Sequence, residues 1–465
     1  MEKFKDKKII IMGLGNYENG SGISAALFFA KQKANVLVTD LKSENDLKKQ
    51  ILRLEKYKNV SFVLGGHRES DFKDADYIFQ NPSVPKHSKY LKIARTNNIP
   101  IINDWSIFLS SYDNFLIGIT GTRGKSTTTS LLYGFIKSRD ESAVIAGNIG
   151  ISPLNYFGKI KKEDIVVAEL SSWLLQGFES VGKSPSISII TNLMADHLNQ
   201  YLSIDDYYAD KKNIFKFQKS GDCLILNKDD KESRKLRGEI KRINSNIFWF
   251  SRKRLTGGKG VFADENHIIF RNNGKNENVC NLKDVRLIGR HNLENVLAAI
   301  CAAKIYGIKN STIKKVLNGF RGLPNRLELV RNNGGVAFYN DTTSTSPDGT
   351  IAALDALDKY KGKIILLAGG ADKGLDYGNF TRKVKKSVKS LIVFKGVASD
   401  KILSAIGKTK FPVVMVDNMT SAVLTAKESA NRGDVILLSP GAASFGTFKN
   451  EFDRGEQFCE IVKNL

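Results

Sequence analysis

Short apolar runs recur along the chain, each closing on a polar residue or glycine and giving way to a longer amphipathic stretch. Residues 8–12, 35–39, 77–79, 115–119, 165–169, 186–191 and 223–226 are of this kind. β-Branched runs of this length, alternating with helix-compatible sequence, predict parallel strands buried on both faces in βα units. The fold class expected is therefore α/β. Beyond Gly322-Leu323-Pro324 the same rhythm resumes at 363–367, 390–394, 413–416 and 434–438. Strand-then-glycine openings at Ile9-Ile10-Ile11-Met12-Gly13 and Ile117-Gly118-Ile119-Thr120-Gly121 divide the chain further, and three domains are expected at 1–113, 114–322 and 323–465. Asn- and Gly-rich stretches at 255–259 and 271–278 read as hairpin turns inside the middle domain.

Composition adds little to that picture, but charge adds a question. The 465 residues suit about three domains. Lys plus Arg number 71 against 48 Asp plus Glu, a formal charge of +23. An excess of this size raises the prospect of a polyanion partner. The basic residues are nevertheless scattered, and clusters such as Lys5-Asp6-Lys7-Lys8 are interrupted, so a solvated lysine-rich surface is expected and no nucleic-acid face. Cys223, Cys280, Cys301 and Cys459 are widely spaced, which suggests neither a zinc site nor a disulfide framework. The opening residues carry no signal-peptide core, and no run of 18 apolar residues occurs. A cytoplasmic protein without membrane insertion is expected.

Gly118-Ile119-Thr120-Gly121-Thr122-Arg123-Gly124-Lys125-Ser126-Thr127 follows the pattern G-x-x-x-x-G-K-[ST] with one extra residue, five in place of four, between Gly118 and Gly124, and lies between a predicted strand and a predicted helix. In such a loop glycines let backbone N–H groups close around phosphates, Lys125 reaches the β/γ-phosphate oxygens and Ser126 ligates Mg²⁺. Glu169 closes a buried strand, where an unpartnered carboxylate is costly and a metal accounts for it. A salt-bridged strand-end Glu is the structural alternative. His197 follows another strand end in Asp196-His197, at the carboxyl edge where ligands bind α/β sheets. Gly13-Leu14-Gly15-Asn16 with Asp40 gives the first domain a Rossmann-like character, although the third glycine of the dinucleotide pattern is displaced to Gly20 or Gly22.

Taken together, the P-loop, Gly147-Asn148-Ile149-Gly150, Glu169-Leu170-Ser171-Ser172 and Asp196-His197 resemble the ATP-dependent Mur ligases of peptidoglycan synthesis. Gly289-Arg290-His291-Asn292-Leu293-Glu294-Asn295, Gly322-Leu323-Pro324-Asn325-Arg326 and Ser439-Pro440-Gly441-Ala442-Ala443-Ser444-Phe445 resemble later blocks of the family. Phe448-Lys449-Asn450 with Arg454-Gly455 resembles the D-glutamate-adding branch of that family, and the resemblance implies that D-glutamate is joined to UDP-N-acetylmuramoyl-L-alanine through an acyl phosphate. The resemblance implies a Rossmann-like first domain, a central P-loop domain with a mostly parallel sheet and a Rossmann-like C-terminal domain.

It also implies roles. ATP is held by Gly121, Thr122, Arg123, Gly124, Lys125, Ser126 and Thr127, with Asn292 and Asn295 near the adenine and Arg326 and Asp341 closing from the third domain. Two Mg²⁺ sites are implied, one served by Ser126 and Glu169 and one by His197 and a carbamylated lysine, placed at Lys211 rather than Lys212; Lys125, His197 and Lys211 are the catalytic set. Gly15, Asn16, Asp40 and Asn81 belong to the domain that takes the UDP part of the substrate, Lys373 and Ser444 hold the incoming glutamate, and Asn148, Ser171, Thr345 and Phe445 are further substrate-binding residues. A monomer is expected.

Two departures stand out. Asp341-Thr342-Thr343-Ser344-Thr345 lacks the lysine that many members carry at the position of Thr343, and Lys449-Asn450-Glu451-Phe452 displaces the aromatic that commonly follows the Asn. Addition of L-glutamate, another Mur or folylpolyglutamate-type ligase, and a non-catalytic P-loop regulator are the readings left open.

Overall fold

The computed structural model describes residues 3–465 apart from 16, 195–200, 202, 241, 242 and 244, and the Arg237 side chain is not among the described ones. Its contacts divide the chain into two compact units, residues 1–285 with 294–318, and residues 286–293 with 319–465.

The first unit holds two sheets. β1 (Lys8–Met12), β2 (Asn35–Asp40), β3 (Val60–Leu64), β4 (Tyr77–Gln80) and β5 (Ile101–Ile102) form a parallel sheet in the order β3-β2-β1-β4-β5. Chain direction reverses across the sheet at β1, so the ligand crevice of a Rossmann-like domain falls beyond its carboxyl end. The displaced glycine finds its reason here. A Cβ on Gly22 would lie 2.3 Å from the Gly13 carbonyl oxygen, so Gly22 lets the helix Ser21–Lys31 press against the end of β1.

The second sheet contains β6 (Leu116–Thr120), β7 (Val144–Gly147), β8 (Val166–Glu169), β9 (Ile187–Ile190), β10 (Cys223–Asn227), β11 (Asn246–Ser251), β12 (Lys259–Asp264), β13 (His267–Asn272) and β14 (Lys275–Asn281). Their order is β14-β13-β12-β11-β10-β9-β6-β8-β7, with β6 between β9 and β8. Each residue of β6 is buried, as its unbroken Leu-Ile-Gly-Ile-Thr run requires. One expected hairpin is corrected: β11 and β12 run parallel, so residues 252–258 form a crossover, not a hairpin turn. The other holds, because β13 and β14 are antiparallel and Asn273 and Gly274 both take positive φ, as a two-residue hairpin turn demands. The two sheets of this unit are joined by apolar contacts, among them the edge-on pair of buried Phe28 and half-buried Phe157, 4.6 Å between centroids.

The second unit is built on β15 (Glu328–Asn333), β16 (Val336–Asn340), β17 (Ile364–Ala368), β18 (Val388–Phe394), β19 (Val413–Val416) and β20 (Val435–Leu438), in the order β15-β16-β20-β17-β18-β19. All pairings are parallel except β15 with β16. The carboxyl ends of β16, β20 and β17 are therefore neighbours, and the loops that leave them share one edge. Among the described residues no helix is long and apolar enough to cross a membrane, and the four cysteines are free thiols.

Candidate active site

The P-loop is shaped by contacts from the next strand. Gly121 has φ +144, and a Cβ there would lie 1.9 Å from Thr191 Oγ1. Thr191 Oγ1 donates to the Arg123 carbonyl at 2.6 Å, and the Arg123 amide donates to Asn192 Oδ1 at 2.9 Å. Gly124 has φ +82 and faces the Asn295 side chain so closely that a Cβ would meet Oδ1 at 2.1 Å. Asn295, on the helix Arg290–Ile305, is thus packed against the loop, and Gly124 directly precedes the helix Lys125–Lys137, whose first N–H groups are the natural anion site. Ser126 and the buried Thr127 lie in its first turn, and Arg123 is exposed.

Two lysines converge on this loop. Lys125 Nζ donates to the carbonyls of Gly121 and Thr122, each at 3.1 Å. Lys211 is 2% exposed and donates to the same Gly121 carbonyl at 2.9 Å. Lys212, its neighbour on the helix Ile204–Lys212, pairs with Glu239 at the surface instead.

Glu169 ends β8, beside the end of β6, and is 1% exposed. Its Oε1 accepts from Asn148 Nδ2 at 2.9 Å, while Oε2 has no hydrogen-bond partner among the described residues. Gly147 makes this approach possible, since a Cβ there would lie 2.0 Å from the Glu169 carbonyl oxygen.

Asn148 also lines a cavity of about 620 Å³ together with Gly13, Gly15, Asp40, Asn81 and Trp173. Asp40 organises its floor by accepting from the Leu14 amide at 2.8 Å and the Lys42 amide at 3.0 Å. Asn81 braces the opposite loop through Ser83. Ser171 caps the helix Ser172–Val181, accepting from the Leu174 amide at 3.4 Å, so its hydroxyl already has a structural task. Tyr17, Leu41, His67 and Trp173 also line the cavity and were not singled out from sequence. For Tyr17, Leu41 and Trp173 the available signal was an apolar or aromatic residue directly beside a motif residue, and Leu41, which follows Asp40, remains 71% exposed; His67 adjoins no motif and carried no such signal.

In the second unit Arg326 lies between Asn325 (φ 65) and Leu327 (φ 46), a left-handed backbone that Leu adopts only when held. Asp341 holds it: Oδ1 accepts from the Leu327 amide at 3.1 Å, and Oδ2 accepts from the hydroxyls of Ser344 (2.6 Å) and Ser439 (2.8 Å). Asn292 is tied to the Ile288 carbonyl at 2.8 Å. Lys373 donates to Thr345 Oγ1 at 3.2 Å. Ser444 is 2% exposed with a hydroxyl that has no partner among the described residues, and Phe445 beside it is 64% exposed. Asn16, Asp196 and His197 lie outside the described residues.

Burial raises the Asp341 carboxyl from 3.8 to about 6, against the opposing hydrogen bonds of Ser344, Ser439 and Leu327 and the nearby Arg326 charge. The folded state therefore binds this proton more tightly than the unfolded chain, and stability falls as pH rises from about 4 through about 6. The difference is on the order of 3 kcal/mol once the group is ionised in both states. Asp341→Asn is expected to unfold with a flatter pH dependence across that window, and urea titrations at pH 4.5 and 7.5 check it. Parallel profiles for the two proteins would refute the assignment.

Three family models match the chain: a Mur ligase MurD-like N-terminal domain over residues 7–103, a Mur ligase middle domain over 119–303, and a Mur ligase glutamate ligase domain over 325–441. The UDP-N-acetylmuramoylalanine–D-glutamate ligase of Roseiflexus sp. (strain RS-1) is 38% identical over 99% of both chains. The chain belongs to the Mur ligase family. A ligase of the same name from Borreliella burgdorferi (strain ATCC 35210) is 35% identical, covering 100% of this chain and 99% of the relative. Solved Mur ligases share the fold: MurF from Thermotoga maritima in complex with ADP has a TM-score of 0.60 at 18% identity, covering 100% of this chain and 99% of that one. MurC from the same organism gives 0.60 at 18% identity over 98% and 99%.

Mur ligases use ATP and Mg²⁺, and the chemistry of the residues here fits a divalent cation. A buried carboxylate oxygen without a partner is costly unless a cation completes it, and the Glu169 Oε2 atom is such an oxygen, at the end of the strand next to the P-loop strand.

Proposed function

We propose that this Mur ligase joins D-glutamate to UDP-N-acetylmuramoyl-L-alanine at the expense of ATP. Asn148 carries the reading: one side chain lines the large cavity of the first unit and also donates to Glu169 beside the P-loop. A substrate in that cavity reaches the γ-phosphate end of a P-loop nucleotide.

The substrate carboxylate oxygen attacks the γ-phosphorus and ADP departs. The glutamate amino nitrogen then attacks the acyl carbon, and inorganic phosphate departs as the amide forms. Both steps depend on alignment and on neutralising phosphate charge, not on covalent catalysis by the protein. Lys125 and the Gly121–Thr127 backbone hold the β/γ-phosphates, with Asn292, Asn295, Arg326 and Asp341 on the rest of the nucleotide. Ser126 and Glu169 hold one Mg²⁺, and His197 with a carbamylated Lys211 a second; the ions, when bound, offset the charge of the phosphates. Two ammonium groups on one carbonyl oxygen repel each other. Converting Lys211 to a carbamate replaces that repulsion with an attraction to Lys125, which supports the modification.

Gly15, Asn16, Asp40, Asn81, Asn148 and Ser171 serve the UDP-sugar, and Thr345, Lys373, Ser444 and Phe445 the glutamate. The unpartnered Ser444 hydroxyl and the Lys373 ammonium suit its two carboxylates. In this reading residues 1–113 bind the nucleotide-sugar, 114–322 the ATP and 323–465 the amino acid, in a cytoplasmic monomer.

Phosphate release from ATP is expected to require both UDP-N-acetylmuramoyl-L-alanine and D-glutamate. The assay, run with D-glutamate, L-glutamate and alanine in turn, sinks the reading if release proceeds equally without an amino acid or with L-glutamate in place of D.

A further inference from the structure

The Phe448-Lys449-Asn450…Arg454-Gly455 block leads from the Ser444 loop into the last helix of the chain. Asn450 caps the helix Glu451–Lys463, accepting from the amides of Phe452 and Asp453 at 2.9 Å. One turn on, Arg454 is fully buried, at 0% exposure. Its Nε donates to Thr342 Oγ1 at 3.0 Å, its Nη2 to the Thr342 carbonyl at 2.9 Å, and its Nη1 to the Ala442 carbonyl at 3.4 Å. Thr342 stands on the loop that carries Thr345, and Ala442 on the loop that carries Ser444.

A third loop is pinned to the second. Ala371 and Ala443 exchange backbone hydrogen bonds of 2.9 and 3.2 Å, and Lys373 lies two residues beyond Ala371. Gly455 lets the helix come this close: a Cβ there would lie 2.3 Å from Asn325 Oδ1 and 2.6 Å from Thr342 Cγ2. The two residues of the Arg-Gly pair thus act on the same place, one by reaching across it and the other by leaving room.

We propose that Arg454 is the positioning residue of the amino-acid site, its single guanidinium setting the spacing between the Thr345 loop and the Ser444 loop and, through the Ala371–Ala443 pairing, the Lys373 loop. The inference rests on the reading of those three residues as glutamate contacts. Arginine suits the task because its planar fork presents several donors in fixed relative directions, whereas lysine offers a point charge on a flexible stem. Stability alone does not favour it. Two carbonyls and a hydroxyl hold this cation, no carboxylate among the described residues pairs with it, and burial pulls its pKa down to about 10 against the nearby Glu451 charge. Buried charge is weak evidence for a stabilising role and is often replaced by apolar side chains without loss.

Steady-state kinetics of the full-length enzyme, varying each of the three substrates, test the proposal. Arg454→Lys is expected to raise the glutamate KM by about tenfold or more while the KM values for ATP and for the nucleotide-sugar stay within about twofold. Thr342→Val removes only the hydroxyl that accepts from Nε and donates to the Glu451 carbonyl at 2.8 Å, and is expected to shift the glutamate KM in the same direction by a smaller factor. If Arg454→Lys does not fold, Thr342→Val decides alone. KM values that rise together for all three substrates, or a glutamate KM unchanged in the folded variants, overturn the positioning role. Wild-type turnover that ignores glutamate overturns the glutamate reading as well, so the two failures are distinguishable.

Discussion

Replacing Lys211 by alanine is expected to lower turnover on the order of 10³-fold, the scale of losing several kcal/mol of charge stabilisation at a phosphoryl-transfer site. The reasoning starts from burial. Lys211 is 2% exposed and shares the Gly121 carbonyl with Lys125. An ammonium in that position gains from losing a proton and reacting with CO₂: the nitrogen bonds to carbon, a second proton leaves, and a cation becomes an anion facing Lys125. Short carboxylic acids added to Lys211→Ala are expected to restore part of the activity by supplying the missing oxygens. Lys212→Ala, which removes only a surface partner of Glu239, is expected to retain turnover. A second readout is independent of turnover. With ¹³C-labelled bicarbonate, a carbamate resonance is expected from the wild type and from Lys212→Ala and not from Lys211→Ala. Full activity in Lys211→Ala, or a labelled signal that survives in it, would refute the carbamate.

The contrast between these two lysines shows where sequence reading stops. On composition they are two adjacent solvated cations, and only the resemblance to the family separated them. In the fold, one step along the helix, about 100° of rotation, carries Lys211 into the core while Lys212 stays at the surface. The P-loop and Glu169 were legible because their signals are local: an apolar run, then glycines or a carboxylate where the run ends. The parallel pairing of β11 with β12 was not, since a glycine-rich connection fits a hairpin or a crossover equally well and the partner strands decide. The Arg454 clamp was illegible for a different reason. Its acceptor Thr342 lies 112 residues away in sequence, so the block could be recognised as a pattern while its mechanics could not. The site accounts for little of the charge of +23, because it uses only a few of the 71 basic residues.

Glu169→Gln separates a metal carboxylate from a structural one. If the side chain were there for stability, as half of an ion pair, neutralising it would destabilise the fold. The geometry argues the opposite. Asn148 satisfies Oε1, whereas Oε2 is buried with no hydrogen-bond partner among the described residues, and a buried charged oxygen left unpaired costs about 1–3 kcal/mol or more. Glutamine keeps the shape and the Asn148 contact and removes the charge. Without Mg²⁺ or nucleotide, the variant is expected to be at least as stable as the wild type in urea unfolding. Turnover is expected to fall on the order of 10²–10³-fold, the range found when one group aimed at developing charge is removed. The Mg²⁺ concentration needed for half-maximal rate should rise as well, because a neutral amide oxygen is a poorer ligand for a hard cation than a carboxylate. Lower stability with unchanged Mg²⁺ dependence would assign Glu169 to the scaffold instead.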